Sequence, residues 1–420
     1  MLRETASRKR IYLWNGAGSA VYALSSFLLL LVVVRVCGSE EGGVFSIGYA
    51  IAQLMLTVGV FEATTFFATD AQNRFTYAQY LGFKIVTCAL MVVVSIVYVL
   101  SFGYDAHKAL VAYSLCAYRL FEALAQYWFA AFQKEERLDI AGFSTVWRSV
   151  ISIALFVAVL LACGDVVAAM IAATASEAVW IACYDIPRLR RIRTVGRPDF
   201  SSRALGGIFL ACLPLFIGSF MSIYLGNVCK YAIDAVGTEH MQTVFNILFM
   251  PSFVINLFVN FFIRPSLTTL AALWAGHDAR GFARIIVRLL GVVAGMTAAV
   301  ELACLAVGIP VLELFYGVDL EGCLPALAVL LAGGGLLSAS NVFYNALVVI
   351  RAQSGVLIGY AVAIAVTSLV ASPLVAASGV QGASVAYAAS CAVLLAAFGI
   401  VFFLFAREKM RYWKHEGKAR

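Results

Sequence analysis

The chain has 420 residues, of which 63% are hydrophobic and only 13% charged. No soluble domain of this length could cover so much apolar surface, so composition excludes the soluble classes and assigns the chain to a membrane. The formal charge of +7 is not a nucleic-acid signal, because the basic residues fall in short segments between apolar runs, where they fix orientation and meet anionic lipid.

The first apolar run, residues 11–34, carries no charge, and a bilayer core needs about 20 apolar helical residues to cross it. Arg3, Arg8, Lys9 and Arg10 before the run give it the look of a signal peptide. The run is too long for an h-region, however, and no small-residue cleavage site closes it, so it is read as a retained span. Spans are expected at 11–36, 43–68, 80–102, 108–132, 141–163 and 166–186, and again at 205–229, 240–263, 285–309, 323–349, 355–377 and 381–405. The predicted fold is an all-α integral membrane protein of about 12 transmembrane helices. Its divisions are an N-terminal six-helix lobe (1–186), a basic cytoplasmic linker (187–204), a C-terminal six-helix lobe (205–406) and a cytoplasmic tail (407–420). With both termini in the cytoplasm, 24 of the 30 Lys and Arg fall in cytoplasmic segments and only Lys108 and Lys230 in outer loops. This asymmetry follows the positive-inside rule.

The chain also echoes itself. Gly38-Ser39-Glu40-Glu41 before Val44-Phe45 recurs as Gly237-Thr238-Glu239-His240 before Val244-Phe245. Phe102-Gly103-Tyr104-Asp105 recurs as Tyr316-Gly317-Val318-Asp319, and Gly164-Asp165-Val166 is echoed by Gly379-Val380-Gln381. All six segments are expected to be outer turns. Parallel repeats of this kind are related by an axis along the membrane normal and suit alternating access.

These turns carry a resemblance. Val34-Arg35-Val36-Cys37-Gly38-Ser39-Glu40-Glu41-Gly42-Gly43-Val44-Phe45-Ser46 resembles the first outer turn of bacterial polysaccharide flippases, the Wzx-like repeat-unit translocases. These belong to the multidrug/oligosaccharidyl-lipid/polysaccharide (MOP) exporter superfamily. Leu314-Phe315-Tyr316-Gly317 and Gly379-Val380-Gln381-Gly382-Ala383-Ser384 resemble later turns of that family. The resemblance implies two pseudo-symmetric six-helix bundles of the MATE/MOP kind in a bacterial cytoplasmic membrane. It implies a transporter of undecaprenyl-pyrophosphate-linked oligosaccharide for surface polysaccharide synthesis, with membrane lipids and polysaccharide-assembly proteins as partners. It brings no active-site motif to carry over, so the site residues rest on local physics.

Charge inside a membrane is costly and faces protein or water. Arg119, near the middle of the fourth span, has Glu122 and Gln126 on the same helical face. Two readings stand: a cavity wall where guanidinium attracts pyrophosphate, or a structural Arg–Glu pair. Arg35, Lys84 and Arg148 lie nearer helix ends, where snorkelling to the interface competes with cavity lining. Glu62, Glu177 and Glu301 lie within spans and are ion-coupling candidates, each also readable as a hydrogen-bonded protonated carboxyl. Pro214 and Pro251 inside spans free carbonyls and are hinge candidates. Gly291/Gly295 and Gly355/Gly359 are GxxxG pairs suited to close helix packing.

The ten cysteines form no CxxC pair, and the four histidines are far apart, so no metal site is expected. No cofactor is expected either. Without a GxxxxGK[ST] motif the chain has no P-loop, and transport would draw on a gradient. A cation-coupled multidrug exporter of the same superfamily is the alternative. A membrane glycan polymerase or ligase is third, because it would need a large outer loop.

Overall fold

The computed structural model describes residues 8–70 and 72–419, and among these the chain is helical with no strand. It divides into two compact units, residues 1–223 and 224–420. The division falls inside a helix, later than the basic stretch.

In unit 1, α1 (Arg8–Cys37) packs along α6 (Leu138–Cys163), and α2 (Ser39–Val60) packs on α5 (Ala106–Lys134) and α4 (Tyr77–Ser101). The span expected at 43–68 is broken: α2 ends at Val60 and α3 (Ala63–Thr69) begins after Phe61 and Glu62, both with positive φ. The helix α7 (Val166–Trp180) packs on α5 and α6. It runs through a π-turn (Ile181–Asp185) into α8 (Ile186–Ile192). The caps are legible in the chain: Thr76 and Gln79 make a reciprocal capping box on α4, and Asp105 and Asp165 cap α5 and α7.

At the end of unit 1 that is rich in basic residues, Phe67, Tyr77, Tyr80 and Tyr127 stack into one aromatic cluster. The Lys134 ammonium lies over the faces of Phe67, Tyr77 and Tyr80, 3.9 Å from Asp70. Burial alone would raise the Asp70 carboxyl. The N–H groups of Arg74 and Phe75, the Tyr80 hydroxyl and Lys134 outweigh burial and hold it below the ordinary carboxylate range. The stretch after α8 is strapped to α4: Asp199 N–H donates to Ala78 O at 3.0 Å, and Gln79 donates to the Asp199 carboxylate at 3.1 Å.

The helix α9 (Ser202–Val236) begins in unit 1 and carries the chain into unit 2. There α12 (Leu324–Val349) packs on α10 (Glu239–Ala275), α11 (Ala279–Tyr316) and α13 (Gln353–Ala419). The 37 and 38 residues of α10 and α11 give each a length of roughly 55 Å, at about 1.5 Å per residue. Both therefore overrun the expected spans 240–263 and 285–309. Two expected features change. Lys230, expected in an outer loop, lies inside α9, because the apolar run continues past it to Val236. The turn expected at Gly379 is present: non-helical Gly379 (φ 56°, ψ −130°) divides α13 into two helices that fold back on each other, bringing Gly382 against the Leu374 carbonyl. Gly355 and Gly359 do meet Val401 and Phe398 closely, but Gly291 and Gly295 face open space, so the Gly291/Gly295 pair packs against nothing described.

Large apolar side chains point outward, among them Leu100, Leu302 and Leu314, each about 70% exposed. That is the arrangement expected where lipid is the solvent. Among the described residues eight helices are long and apolar enough to cross a membrane.

Candidate functional site

The polar centre of unit 1 is built on three helices. From α5 come Tyr118, Arg119, Glu122 and Gln126; from α6, Ser144 and Arg148; from α7 and its π-turn, Glu177 and Asp185. Arg119 is only 2% exposed. Its guanidinium donates to the Glu122 carboxylate and to the Tyr49 hydroxyl of α2, and lies 4.5 Å from the Tyr49 ring centre. The other Glu122 oxygen is buried with no hydrogen-bond partner among the described residues. Arg148 Nε lies 2.9 Å from Glu177 Oε2, within ion-pair distance, though its N–H is not aimed at that oxygen. Ser144 donates to Asp185 at 2.6 Å and accepts from the Trp180 indole at 3.0 Å. A cavity of about 240 Å³ opens beside these groups. Gln126, Ser144, Thr145, Arg148 and Asp185 supply its polar wall, and Gly18 and Gly142 narrow the α1–α6 contact beside it.

Two guanidinium groups and three carboxyls thus share one buried region. Guanidinium stays charged, and an uncompensated buried charge is costly. Neutrality is reached when one of the three carboxyls holds a proton.

The structure therefore brings together Arg119, Glu122, Gln126, Arg148 and Glu177, which the sequence named one by one. It pairs Arg119 with Glu122 on one helix and Arg148 with Glu177 across two. Arg148 does not snorkel; it is buried. Nor does Lys84, which is 2% exposed and donates to the carbonyls of Gly59 and Val60 at 3.1 Å each. Glu62 sits at the α2–α3 break, accepting from Ser219 at 2.5 Å and from Thr65 at 3.0 Å. Arg35 is exposed in the last turn of α1. Glu301 is partly exposed on α11 and belongs to the other unit. α9 continues through Pro214 and α10 through Pro251.

Sequence reasoning missed Tyr49, Asp185 and Lys230. Tyr49 gave no signal among many span aromatics. Asp185 fell at the end of the span expected at 166–186 and was not singled out. Lys230 is half-buried in α9 with its ammonium 5.4 Å from the Phe249 ring centre. Among the described residues it makes no ion pair.

Comparison with solved structures finds the same overall fold elsewhere. An inward-facing multidrug resistance MATE transporter of the MOP superfamily aligns over 94% of this chain and 96% of its own, with a TM-score of 0.65 at 15% identity. A MOP superfamily transporter from Pyrococcus furiosus, described for the reversed polarity of its binding pocket, aligns over 96% and 95% with a TM-score of 0.60 at 16% identity. A eukaryotic MATE transporter aligns over 96% and 98%, also at 0.60, with 14% identity. The chain has the MATE fold. No protein-family model and no curated protein matches it. Unit 1 gives that fold a buried polar centre of two guanidinium groups and three carboxyls.

Proposed function

We propose that this MATE-fold chain is a flippase of the Wzx-like kind. It carries an undecaprenyl-pyrophosphate-linked oligosaccharide from the cytoplasmic to the outer leaflet of a bacterial cytoplasmic membrane by alternating access, for surface polysaccharide synthesis. In this reading the chain crosses twelve times with both termini in the cytoplasm, and its partners are membrane lipids and polysaccharide-assembly proteins. The observation that carries the anionic substrate is Lys230. An ammonium held inside a long apolar helix against an aromatic ring, making no ion pair among the described residues, is complementary to a diphosphate and repels a cationic drug. The proton on the Arg119–Glu122–Arg148–Glu177–Asp185 cluster supplies the coupling.

The second reading, cation-coupled export of amphiphilic drugs, draws on the likeness to multidrug MATE transporters. One experiment separates the two. In a strain depleted of the protein, lipid-linked glycan should stay on the inner leaflet, and the wild-type chain should restore it. Lys230→Met should lower restoration about 10-fold, the effect of losing one charge-assisted hydrogen bond of ~1.5 kcal/mol. Lys230→Arg should retain most of it. Normal surface glycan with altered dye efflux would establish the drug-export reading instead.

A further inference from the structure

The α2–α3 break is a separate polar feature of unit 1. Phe61 (φ 48°) and Glu62 (φ 52°) are consecutive left-handed residues without glycine, a conformation that costs about 1–2 kcal/mol per residue. It persists only where the surroundings impose it. The break leaves the last carbonyls of α2 without helical partners, and inside a bilayer such groups must be satisfied by protein. Lys84 reaches across from α4 and donates to Gly59 O and Val60 O, while Thr87 Oγ1 donates to Gly59 O at 2.9 Å. The Lys84 charge also faces the negative end of the α2 dipole. On the far side of the break, Glu62 accepts from Ser219 and the Phe61 ring stacks on Phe216 at 4.2 Å. Both partners belong to α9.

Unwound carbonyls at a helix end are the donors that broken-helix transporters offer to a bound cation. Here two carbonyls, those of Gly59 and Val60, converge on one place beside the Glu62 residue of the break, and the Lys84 amine fills it. We infer that the α2–α3 break is a binding site for one small monovalent cation, and that the protein occupies it permanently with its own Lys84 ammonium. The tether makes this cation non-exchangeable. An ion gradient therefore acts elsewhere in the molecule, while Lys84 holds the break, and through it Glu62 and Phe61, against α9.

The test is thermal unfolding of the purified full chain in N-methyl-D-glucamine, sodium, potassium or ammonium chloride at one ionic strength. Wild type should not distinguish the salts. Lys84→Ala opens the site and should melt lower in N-methyl-D-glucamine, recovering at least half of the loss in potassium or ammonium. Lys84→Met fills the volume without charge and should melt lower without recovering in any salt. A Lys84→Ala protein that melts like wild type, or whose loss no small cation reverses, would overturn the inference. So would full stability in Lys84→Met, which would reduce Lys84 to a packing residue. If Lys84→Ala is not recovered folded, Lys84→Ser is read by the same criterion: recovery in small cations supports the site, and its absence overturns it.

Discussion

At the residue scale, what stands out is how few of the intramembrane charges face outward. Arg119, Glu122, Arg148, Glu177 and Asp185 are all buried and lie within one unit. Removing one partner of such a pair leaves the other as an uncompensated buried charge, at a cost of about 3–5 kcal/mol, whereas replacing both by apolar residues of similar volume costs far less. Arg148→Met and Glu177→Leu should therefore each lower the unfolding temperature sharply, and the double variant should be more stable than either single one. Equal, additive losses would show that the 2.9 Å contact carries no coupling. The sequence marked all of these but Asp185 as special because a charge in an apolar run needs a reason. It could not say which charge answers which, since Arg148 and Glu177 meet only when α6 packs on α7. The Lys84 contact was illegible for a similar reason: the carbonyls it serves exist only because α2 breaks, and no Pro or Gly stands at Phe61–Glu62 to announce the break.

At the element scale, turns were the most readable part. Gly103 and Gly317 were matched by sequence alone, as were Gly164 and Gly379, and all four have positive φ between 56° and 68°. Glycine is the residue that adopts this conformation without steric cost. Helix length was less readable, because apolar patterning does not record where a helix leaves lipid and continues in water. Close packing was read correctly for one GxxxG pair and wrongly for the other, since small residues permit contact without requiring it. Substitution should separate the two pairs. Gly359→Leu would drive side-chain atoms into Phe398 and should destabilise by about 1–3 kcal/mol, as overpacking does. Gly291→Ala meets nothing and should leave stability unchanged or raise it by up to about 1 kcal/mol, the helix-propensity gain over glycine. Melting curves of the two variants check both expectations.

At the scale of the whole molecule, composition alone gave the class, and the MATE fold agrees with the predicted all-α architecture. The charge asymmetry makes a topological prediction that the fold leaves open. Reporter fusions after Gly196, Gly276 and Ala419 should report the cytoplasm, and fusions after Gly164 and Gly317 the outside. A carboxyl-terminal fusion reporting the outside would remove one crossing from the proposed twelve.

The π-turn at Ile181–Asp185 has a consequence for how this protein can change. Such a turn holds one more residue than the α-helical path it replaces, and that surplus sets which way Asp185 faces as it accepts from Ser144 at the cavity. Loss of a single codon within 181–184 would let the turn rewind to the α-helical path while α7 and α8 on either side keep the faces they present. A one-residue deletion here is thus a change the two flanking helices can absorb, which a deletion inside α5 or α6 is not.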